Sequence, residues 1–230
     1  MSRFRPLPQS FYRRPAEIVA RDLLGRYLVR EQEGERLVLR LVEVEAYLGA
    51  PDRASHAWDG RRTARNESLY LPGGHAYVYF IYGMHFCLNA VTGEAGVGSA
   101  VLLRAGAPVE GEERMAENRR WTKTVRPGDL AGGPGKICRA LAIGRDLDGV
   151  LLDRPPLYVT EGEPAVAERI VASPRIGVDY AGEWARRPWR FFDRASVHVS
   201  TAAARRRPEA SAAPAAARDN VRRSSLRAPH

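Results

Sequence analysis

Residues 36–49, with the sequence RLVLRLVEVEAYLG, carry leucine or valine at both odd and even positions. Successive side chains of a β-strand point to opposite faces, so a strand here would be apolar on both of its faces. Strands of this kind lie in the interior of a sheet, where both faces are covered. We therefore predict a strand over residues 36–49 that is central to a β-sheet.

Further strands and short helices are predicted around this strand. Pro15 precedes AEIVARDLLGRYL, in which the spacing of Ile18, Val19, Asp22, Leu23 and Leu24 favours an amphipathic helix with proline in its first turn. The other predicted elements are strands over 76–82, 84–91 and 99–105, a glycine-rich turn opening a short helix over 132–143, and a short strand with a Trp- and Arg-rich closing segment over 175–192. Short connections between successive strands favour antiparallel pairing.

These elements predict the α+β class, as a single domain with a curved, mainly antiparallel β-sheet surrounded by short helices and loops. The chain has 230 residues and is 44% hydrophobic, which is sufficient for one large core. We expect this domain to occupy residues 1–202. The Ala- and Arg-rich residues 203–230 lack hydrophobic periodicity, so we expect them to form a disordered basic tail.

The net charge of +9 comes largely from that tail. The last 29 residues hold seven arginines, at positions 205, 206, 207, 218, 222, 223 and 227, against Glu209 and Asp219, a net +5 that leaves +4 for the rest of the chain. A basic protein favours a polyanionic partner such as nucleic acid. Two interpretations of the tail stay open, namely non-specific attraction to phosphate and a solubilising extension.

The sequence contains no obvious targeting or cross-linking signal. No run approaches the roughly 18 apolar residues of a membrane span, and the first residues, MSRFRPLPQSFYRRP, lack the apolar core of a signal peptide. We therefore expect an intracellular protein without a membrane partner. Cys87 and Cys138 are too few for a disulfide framework and are not spaced as zinc ligands, so we expect packed thiols.

Glu43 and Glu45 are two residues apart in the predicted central strand, so they share a face at a separation of roughly 6.5–7 Å along the strand. That face is also expected to carry Leu37, Leu39 and Leu41. A carboxylate that continues an apolar stripe is costly to keep ionised unless it is paired. Two interpretations stay open: a general base or acid with an environment-tuned pKa, or structural glutamates held by arginines such as Arg40 or Arg104.

A long polar segment, EAYLGAPDRASHAWDGRRTARN over residues 45–66, follows the glutamates. Its turn-forming residues predict a loop that rises from the end of the central strand, and binding residues commonly lie on such loops. Arginines spaced along a loop suit contacts to irregularly placed phosphates. His56, taken singly, is compatible with a hydrogen-bonded surface histidine as well as with a catalytic one.

The stretch HAYVYFIYGMHFCLNA, residues 75–90, is rich in tyrosine. On a strand Tyr77 and Tyr79 share a face, whereas Tyr82 falls at the turn before Gly83 and projects outward. A slot for an extruded base needs aromatic planes with polar groups at their edges. Tyr47, two residues beyond Glu45, could supply another such ring in addition to the tyrosines of this stretch. An exposed aromatic at a hairpin tip of a basic protein favours contact with a base step.

Six motifs occur in order along the chain, and they are VEVEAYLG, DRASHAWDGRRTARN, HAYVYFIYGMHFCLN, VLLRA, GGPGKICRALAI and RIGVDYAGEWARRPWRFF. In this combination the chain resembles the 3-methyladenine (alkyladenine, or methylpurine) DNA glycosylase family, of the type without a helix-hairpin-helix motif. The likeness runs from about Phe11 to about Ser200. It implies a base-excision-repair enzyme that flips a damaged purine out of duplex DNA and hydrolyses its N-glycosidic bond, leaving an abasic site.

The resemblance implies roles for individual residues. Glu45 matches the general base that activates the attacking water, and Arg104 matches the arginine that helps to hold this water together with a main-chain carbonyl near Ile176. The implied base-binding residues are Tyr47, His56, Tyr79 and Asn89, with Asn89 opposing the amino group of normal guanine. The implied DNA-binding residues are Tyr82, which fills the gap left by the flipped nucleotide, Arg61, Arg65, Gly135 and Lys136.

The resemblance also implies double-stranded DNA containing damaged purines as the partner, with no cofactor and no metal. Candidate lesions are 3-methyladenine, 7-methylguanine, hypoxanthine and ethenoadenine. Lys123 and Lys136 lie away from the motif of Glu45, so we expect a monofunctional glycosylase and not a lyase that forms a Schiff base. We expect a monomer that acts in the cytoplasm or nucleoid if prokaryotic and in the nucleus if eukaryotic.

Two other classes of protein are possible interpretations of the same residues. An O-glycoside hydrolase would use Glu43 and Glu45 as a carboxylate pair, since their spacing is near that of inverting enzymes. Two neighbours on one strand do not easily flank a bond from opposite sides, however. A non-catalytic nucleic-acid-binding protein of the same fold would tolerate the substitution Glu45→Gln.

Overall fold

The structure is a computed structural model that describes residues 4–200. Its strands are β1 (Tyr27–Gln32), β2 (Glu35–Tyr47), β3 (Ala76–Ile81), β4 (His85–Thr92), β5 (Ser99–Glu110), β6 (Asp153–Arg154), β7 (Leu157–Thr160), β8 (Ile170–Ser173) and β9 (Arg190–Asp193). Its α-helices are α1 (Gln9–Tyr12), α2 (Ala16–Leu23), α3 (Glu112–Asn118) and α4 (Pro134–Ala140). The predicted tail over 203–230 lies outside the described residues.

The strands form one curled sheet in which each strand pair of the described chain is antiparallel. The order along the sheet is β3-β4-β5-β2-β1-β7-β6, and β9 pairs with both β2 and β8. The predicted α+β class with a curved antiparallel sheet is therefore confirmed. Strand β2 pairs with β1, β5 and β9, which explains why it is apolar on both faces.

A β-bulge in β2 decides where its glutamates point. The pairing of β2 with β5 shifts between Leu41 and Glu43 and again between Glu43 and Val44. Beyond the bulge, Val44 and Ala46 join the hydrophobic core that also contains Leu41. Glu43 and Glu45 alternate with these residues and lie on the opposite face. The prediction that the glutamates continue the leucine face was wrong, because the extra residue of a bulge reverses the alternation of side chains.

Helix α2 is shorter than its hydrophobic pattern predicted. It ends at Leu23, and the residues that follow form a turn and the start of β1. Gly25 has a φ of +85°, and a Cβ atom at this position would lie 1.9 Å from the carbonyl oxygen of Glu163, so only glycine fits there. Ile18, which was predicted to lie on the apolar face, is exposed. Strand β1 and the short strands β6, β7 and β8 were not predicted.

The predicted hairpin is present over β3 and β4, with Tyr77 opposite Asn89 and Tyr79 opposite Cys87. Helix α4 begins at Pro134, inside the predicted region 132–143. The segment 175–192 differs from the prediction, because it begins as an irregular stretch and a 3₁₀ helix over Asp179–Arg186 before β9. No helix within residues 4–200 combines the length and the hydrophobicity needed to cross a bilayer.

Candidate active site

Glu45 is fully buried, and both of its carboxylate oxygens accept hydrogen bonds. Oε1 accepts the main-chain N–H of Ile176 at 2.8 Å, and Oε2 accepts the hydroxyl of Tyr47 at 2.9 Å. Nη1 of Arg104 lies 3.3 Å from Oε2. These contacts hold the carboxylate in one orientation, as a group that acts in chemistry requires.

Glu43 is buried in a different environment. Its Oε1 lies 3.0 Å from Nε of Arg104 and 3.2 Å from Nε of Arg190. Ser200 donates its N–H to Oε2 at 2.8 Å and its hydroxyl to Oε1 at 3.1 Å. These contacts favour, for Glu43, the structural role that one interpretation assigned to both glutamates. Arg40, the other suggested partner, pairs instead with Asp193 at 3.6 Å.

Arg104 connects the two glutamates. Burial alone lowers the pKa of its guanidinium, but the charges of Glu45 and Glu43 outweigh burial and raise the pKa above the ordinary value. The side chain thus remains a cation between two carboxylates. Glu43 is enclosed by Arg104, Arg190 and Ser200, so a ligand cannot reach its carboxylate. This argues against a catalytic carboxylate pair of the O-glycoside hydrolase type.

A cavity of about 460 Å³ opens beside Glu45. Glu45 itself does not line this cavity, but its three partners Tyr47, Arg104 and Ile176 do. The predicted residues that line it are Tyr47, His56, Tyr79, Tyr82, Asn89, Arg104, Gly135 and Lys136. The fold therefore gathers the predicted catalytic and base-binding side chains around one cavity. Arg61 and Arg65 lie outside it and line a neighbouring groove.

Aromatic rings form one wall of the cavity. The rings of Tyr77 and Tyr79 are stacked, with centroids 5.3 Å apart and an angle of 29°, and His56 meets Tyr79 edge-on at 4.5 Å. Nδ1 of His56 lies 2.8 Å from the Tyr77 hydroxyl. Tyr77 is almost fully buried, although it also lines the cavity. The arrangement offers flat surfaces and polar edges to a planar ligand.

The ionisable groups of this wall are held in their neutral forms. Partial burial, followed by the charges of Arg65 and Arg61, lowers the pKa of His56. Burial raises the pKa of Tyr79, and burial together with the adjacent Glu45 raises the pKa of Tyr47. His56 is therefore a neutral imidazole near pH 7, able to donate with one ring nitrogen and to accept with the other.

Asn89 and Tyr82 occupy opposite ends of the hairpin. Asn89 is buried, and its Nδ2 donates to the carbonyl of Tyr77 across the strand pair at 3.0 Å, which fixes the amide at the cavity wall. Tyr82 lies at the tip, with a φ of +53° and 80% of its surface exposed. Gly83 follows with a φ of +66°, in keeping with the bend predicted there. The tip therefore presents an unsupported aromatic ring to solvent.

Lys136 is closer to the site than the sequence indicated. It lies with Gly135 in the first turn of α4 and lines the same cavity as Arg104, although in the sequence it lies away from the motif of Glu45. Its Nζ donates to the carbonyl of Gly128 at 2.9 Å. Burial, and then the charge of Arg119, lowers the pKa of Lys136. Helix α4 packs against β4 and β5, which is how this lysine reaches the cavity.

Asp52 and Arg175 form a buried ion pair that the sequence did not reveal. Nη1 and Nη2 of Arg175 lie 2.5 Å and 2.8 Å from the two oxygens of Asp52, and neither side chain is exposed. Nη1 also donates to the carbonyl of Ala46, and the guanidinium lies 4.6 Å from the ring centroid of Tyr47. The pair thus joins the end of β2 and the loop that follows it to the segment whose N–H binds Glu45. Because the two partners are 123 positions apart in the sequence, no local pattern could have indicated the pair.

Cys87 and Cys138 are free and buried, as expected of packed thiols, although Cys87 also lines the cavity beside Tyr79. Burial raises the pKa of both thiols. Within residues 4–200 no group of three or more His, Cys, Asp or Glu side chains is arranged to hold a metal ion.

An arginine-paired carboxylate beside an aromatic cavity on a curled antiparallel sheet defines a candidate site for hydrolysis of a bond to a planar ring. A family model described as Methylpurine-DNA glycosylase (MPG) matches residues 10–197. The chain belongs to the methylpurine-DNA glycosylase family, as its motifs indicated.

Named relatives agree with this assignment. A protein of Methanocella arvoryzae with the name "Putative 3-methyladenine DNA glycosylase" is 54% identical over 195 residues, which cover 84% of this chain and 95% of the relative. Proteins with the same name from Myxococcus xanthus and Desulfitobacterium hafniense are 48% and 46% identical, over 84% of this chain and 93% and 98% of their own lengths.

Proposed function

We propose that this protein is a DNA glycosylase that removes damaged purines from duplex DNA. The observation that carries the proposal is the position of Glu45, which is fixed by Ile176, Tyr47 and Arg104 directly behind the cavity that these three residues line. The aromatic wall supplies planes for an extruded base, and family membership supports the chemistry. The candidate lesions are 3-methyladenine, 7-methylguanine, hypoxanthine and ethenoadenine.

The proposed reaction begins with extrusion of the nucleotide. Unstacking costs a few kcal/mol, and less for a damaged base than for a normal one. Tyr82, exposed at the hairpin tip, takes the place of the extruded base in the helix. The base then lies against Tyr79, Tyr47 and His56. A purine alkylated at N3 or N7 is a cation, and the faces of tyrosine rings attract cations.

Hydrolysis needs one water molecule placed on the far side of the sugar from the base. Glu45 accepts a proton from this water while the oxygen of the water attacks the anomeric carbon C1′ of deoxyribose. The glycosidic bond breaks with its electron pair going to the purine, which is a good leaving group when it is alkylated. Arg104 and the main-chain carbonyl of Ile176 orient the water, and an abasic site remains. General-base action of this type typically contributes about 10²- to 10⁴-fold.

Asn89 is proposed to provide selectivity. Its amide is held at the cavity wall by the hydrogen bond to the Tyr77 carbonyl, so the side chain should move little when a base enters the cavity. The exocyclic amino group of normal guanine would meet this fixed side chain. Lesions that lack that group would not.

The substitution Glu45→Gln tests the mechanism. It preserves the shape of the side chain but removes the base, so we expect release of 3-methyladenine from an alkylated duplex to fall by about 10²- to 10⁴-fold while binding to an abasic duplex is retained. The partly exposed residue Glu110 provides a control, and Glu110→Gln should release base as the wild type does. Unchanged release by Glu45→Gln would instead favour a protein that binds DNA without catalysing hydrolysis.

We further propose that the enzyme is monofunctional, even though Lys136 lines the cavity. The Nζ of Lys136 donates to the Gly128 carbonyl, and within residues 4–200 it forms no salt bridge with a carboxylate that would accept its proton. Sodium borohydride should therefore trap no covalent complex with abasic DNA. A trapped complex that disappears in Lys136→Ala would show that the amine attacks the sugar, and the enzyme would then be a lyase as well.

A further inference from the structure

A second groove, of about 640 Å³, lies next to the base cavity. The two share part of a wall, including His56, Tyr79 and Tyr82. The far side of the groove is formed by the loop after β2, with Arg53, Trp58, Arg61 and Arg65. A nucleotide that places its base in the cavity therefore leaves its neighbour on the same strand at the entrance of this groove.

The groove carries positive charge that the protein itself does not neutralise. Arg53, Arg61 and Arg65 are exposed, and none of them pairs with a carboxylate within residues 4–200. Arg62, in the same loop, makes a useful contrast because it pairs with Glu67 and does not line the groove. The charges of Arg61 and Arg65 also reach the cavity, where they lower the pKa of His56. Three uncompensated guanidinium groups along one groove fit the phosphates of a nucleic-acid strand.

Trp58 is the unusual residue of this groove. Tryptophan is seldom left exposed without a partner, yet 46% of the Trp58 surface is exposed. The guanidinium of Arg53 lies 5.4 Å from the ring centroid, so the ring is held beside a cation. The combination of an aromatic plane and an arginine is typical of sites where a nucleobase stacks while its phosphate is bound.

The loop that carries these residues is held firmly before any ligand binds. The buried side chain of Asn66 donates to the carbonyls of His56 and Arg61 at 3.0 and 2.9 Å. Its Oδ1 accepts from the N–H of Thr63 at 2.6 Å. Tyr70 donates its hydroxyl to the same Arg61 carbonyl at 2.7 Å. A loop braced in this way loses little conformational entropy when it binds a ligand.

We propose that this groove binds the nucleotide adjacent to the flipped one on the damaged strand, with its base stacked on Trp58 and the flanking phosphates bound by Arg53, Arg61 and Arg65. The proposal rests on the proposed glycosylase function and extends it to the strand beyond the lesion. It assigns Trp58 and Arg53 to DNA binding, in addition to the residues that the family motifs indicated.

Binding to a duplex with a tetrahydrofuran abasic analogue tests the role of Trp58, because this DNA is bound but not cleaved. Base stacking on an aromatic side chain is worth roughly 1–3 kcal/mol, so Trp58→Ala should weaken binding by about 5- to 150-fold. Trp58→Phe keeps an aromatic plane and should retain most of the affinity. Since Trp58 is exposed, thermal unfolding of both variants should match that of the wild type.

The salt dependence of binding to the same duplex distinguishes an arginine that contacts phosphate from one that does not. Arg53→Ala should reduce the slope of log K against log salt by about 1, because one phosphate contact is lost. Arg62→Ala is the matched control, and its slope should stay at the wild-type value. Equal slopes for Arg53→Ala and the wild type would contradict the proposed contact between Arg53 and a phosphate.

A fluorescent base locates the stacked nucleotide. With 2-aminopurine placed on the 5′ or the 3′ side of the abasic analogue, fluorescence at one of the two positions should be lower in the wild-type complex than in the Trp58→Ala complex. No difference at either position, or an affinity of Trp58→Ala within twofold of the wild type, would overturn the proposal. Base release by the wild type, measured in parallel, tests the glycosylase function separately.

Discussion

The main-chain N–H of Ile176 donates to Oε1 of Glu45 across 131 residues of sequence. This bond places the last third of the chain directly on the candidate general base. Ile176 is held there by its neighbour Arg175, which is buried against Asp52 and against the ring of Tyr47. The orientation of Glu45 therefore depends on an ion pair that contributes no atom to the cavity wall.

The substitution Arg175→Lys should disturb this orientation. Lysine cannot form the two parallel bonds to Asp52 or lie as a flat cation beside Tyr47, so the segment that carries Ile176 should shift. A misplacement of about 1 Å can cost on the order of 100-fold in rate, and we expect single-turnover base release to fall by about 10- to 100-fold. Binding to an abasic duplex should change by less than about threefold.

A matched control is available at the surface. Arg36 forms an exposed pair with Glu110, and Arg36→Lys should leave base release unchanged. Release by Arg175→Lys that equals the wild-type rate, in a protein shown by circular dichroism to be folded, would contradict a positioning role for this pair.

Glu43→Gln should act on stability more than on chemistry. Removing its charge leaves Arg104 and Arg190 with one buried carboxylate fewer, and breaking a buried pair of this kind costs about 3–5 kcal/mol. Urea denaturation measures the loss, with Glu110→Gln as a surface control expected to cost at most about 1 kcal/mol. At a temperature where Glu43→Gln is folded, it should still release base. Complete inactivity in the folded variant would place Glu43 in the chemistry.

His56 should titrate below the usual histidine value. Its pKa is lowered by partial burial and by the charges of Arg65 and Arg61. Nuclear magnetic resonance should therefore show a midpoint below about 6.5 for its ring, and Arg65→Ala should raise that midpoint. Arg62→Ala, whose side chain pairs with Glu67, should change it less. A His56 midpoint at or above 6.5 in the wild type would contradict the lowered pKa.

The same shift affects stability in a defined pH range. As pH falls below about 6.5, His56 in the unfolded chain takes up a proton before His56 in the folded protein does. The free energy of unfolding should therefore decrease between that pH and the lower folded-state pKa. His56→Gln should lack this contribution, which paired unfolding curves at pH 7 and pH 5.5 would reveal.

The basic tail provides a prediction that is independent of the site. If residues 203–230 attract phosphate, their deletion should weaken binding to undamaged duplex DNA and flatten its dependence on salt. Base release under single-turnover conditions with saturating enzyme should be unaffected. An unchanged salt slope would favour the other interpretation, a solubilising extension.

Much of the fold was accessible from the sequence because the signals are local. The doubly apolar stretch 36–49 predicted the central strand, and the alternation on either side of Gly83 predicted the hairpin. The sequence predicted Tyr82 at the tip because it directly precedes Gly83, where the turn between the two strands was expected. The short strands β6, β7 and β8 were missed because two to four residues carry too little pattern.

The candidate site was predicted less from physical pattern than from motif resemblance. Spacing alone did not separate Glu43 from Glu45, since both are acidic residues on one face of a strand. The structure separates them by their partners, with Glu43 enclosed by Arg104, Arg190 and Ser200, and Glu45 bonded to residues that line the cavity.

The sequence by itself determined the class of fold, the family and most of the candidate residues of the site, because alternation, turn residues and motifs are properties of neighbouring positions. Only the tertiary structure decided which way those residues face and what they meet. A one-residue bulge turned Glu45 away from the core, and contacts across more than 100 residues supplied Ile176 and the pair of Asp52 with Arg175. Such contacts depend on how distant segments pack, which no local pattern records.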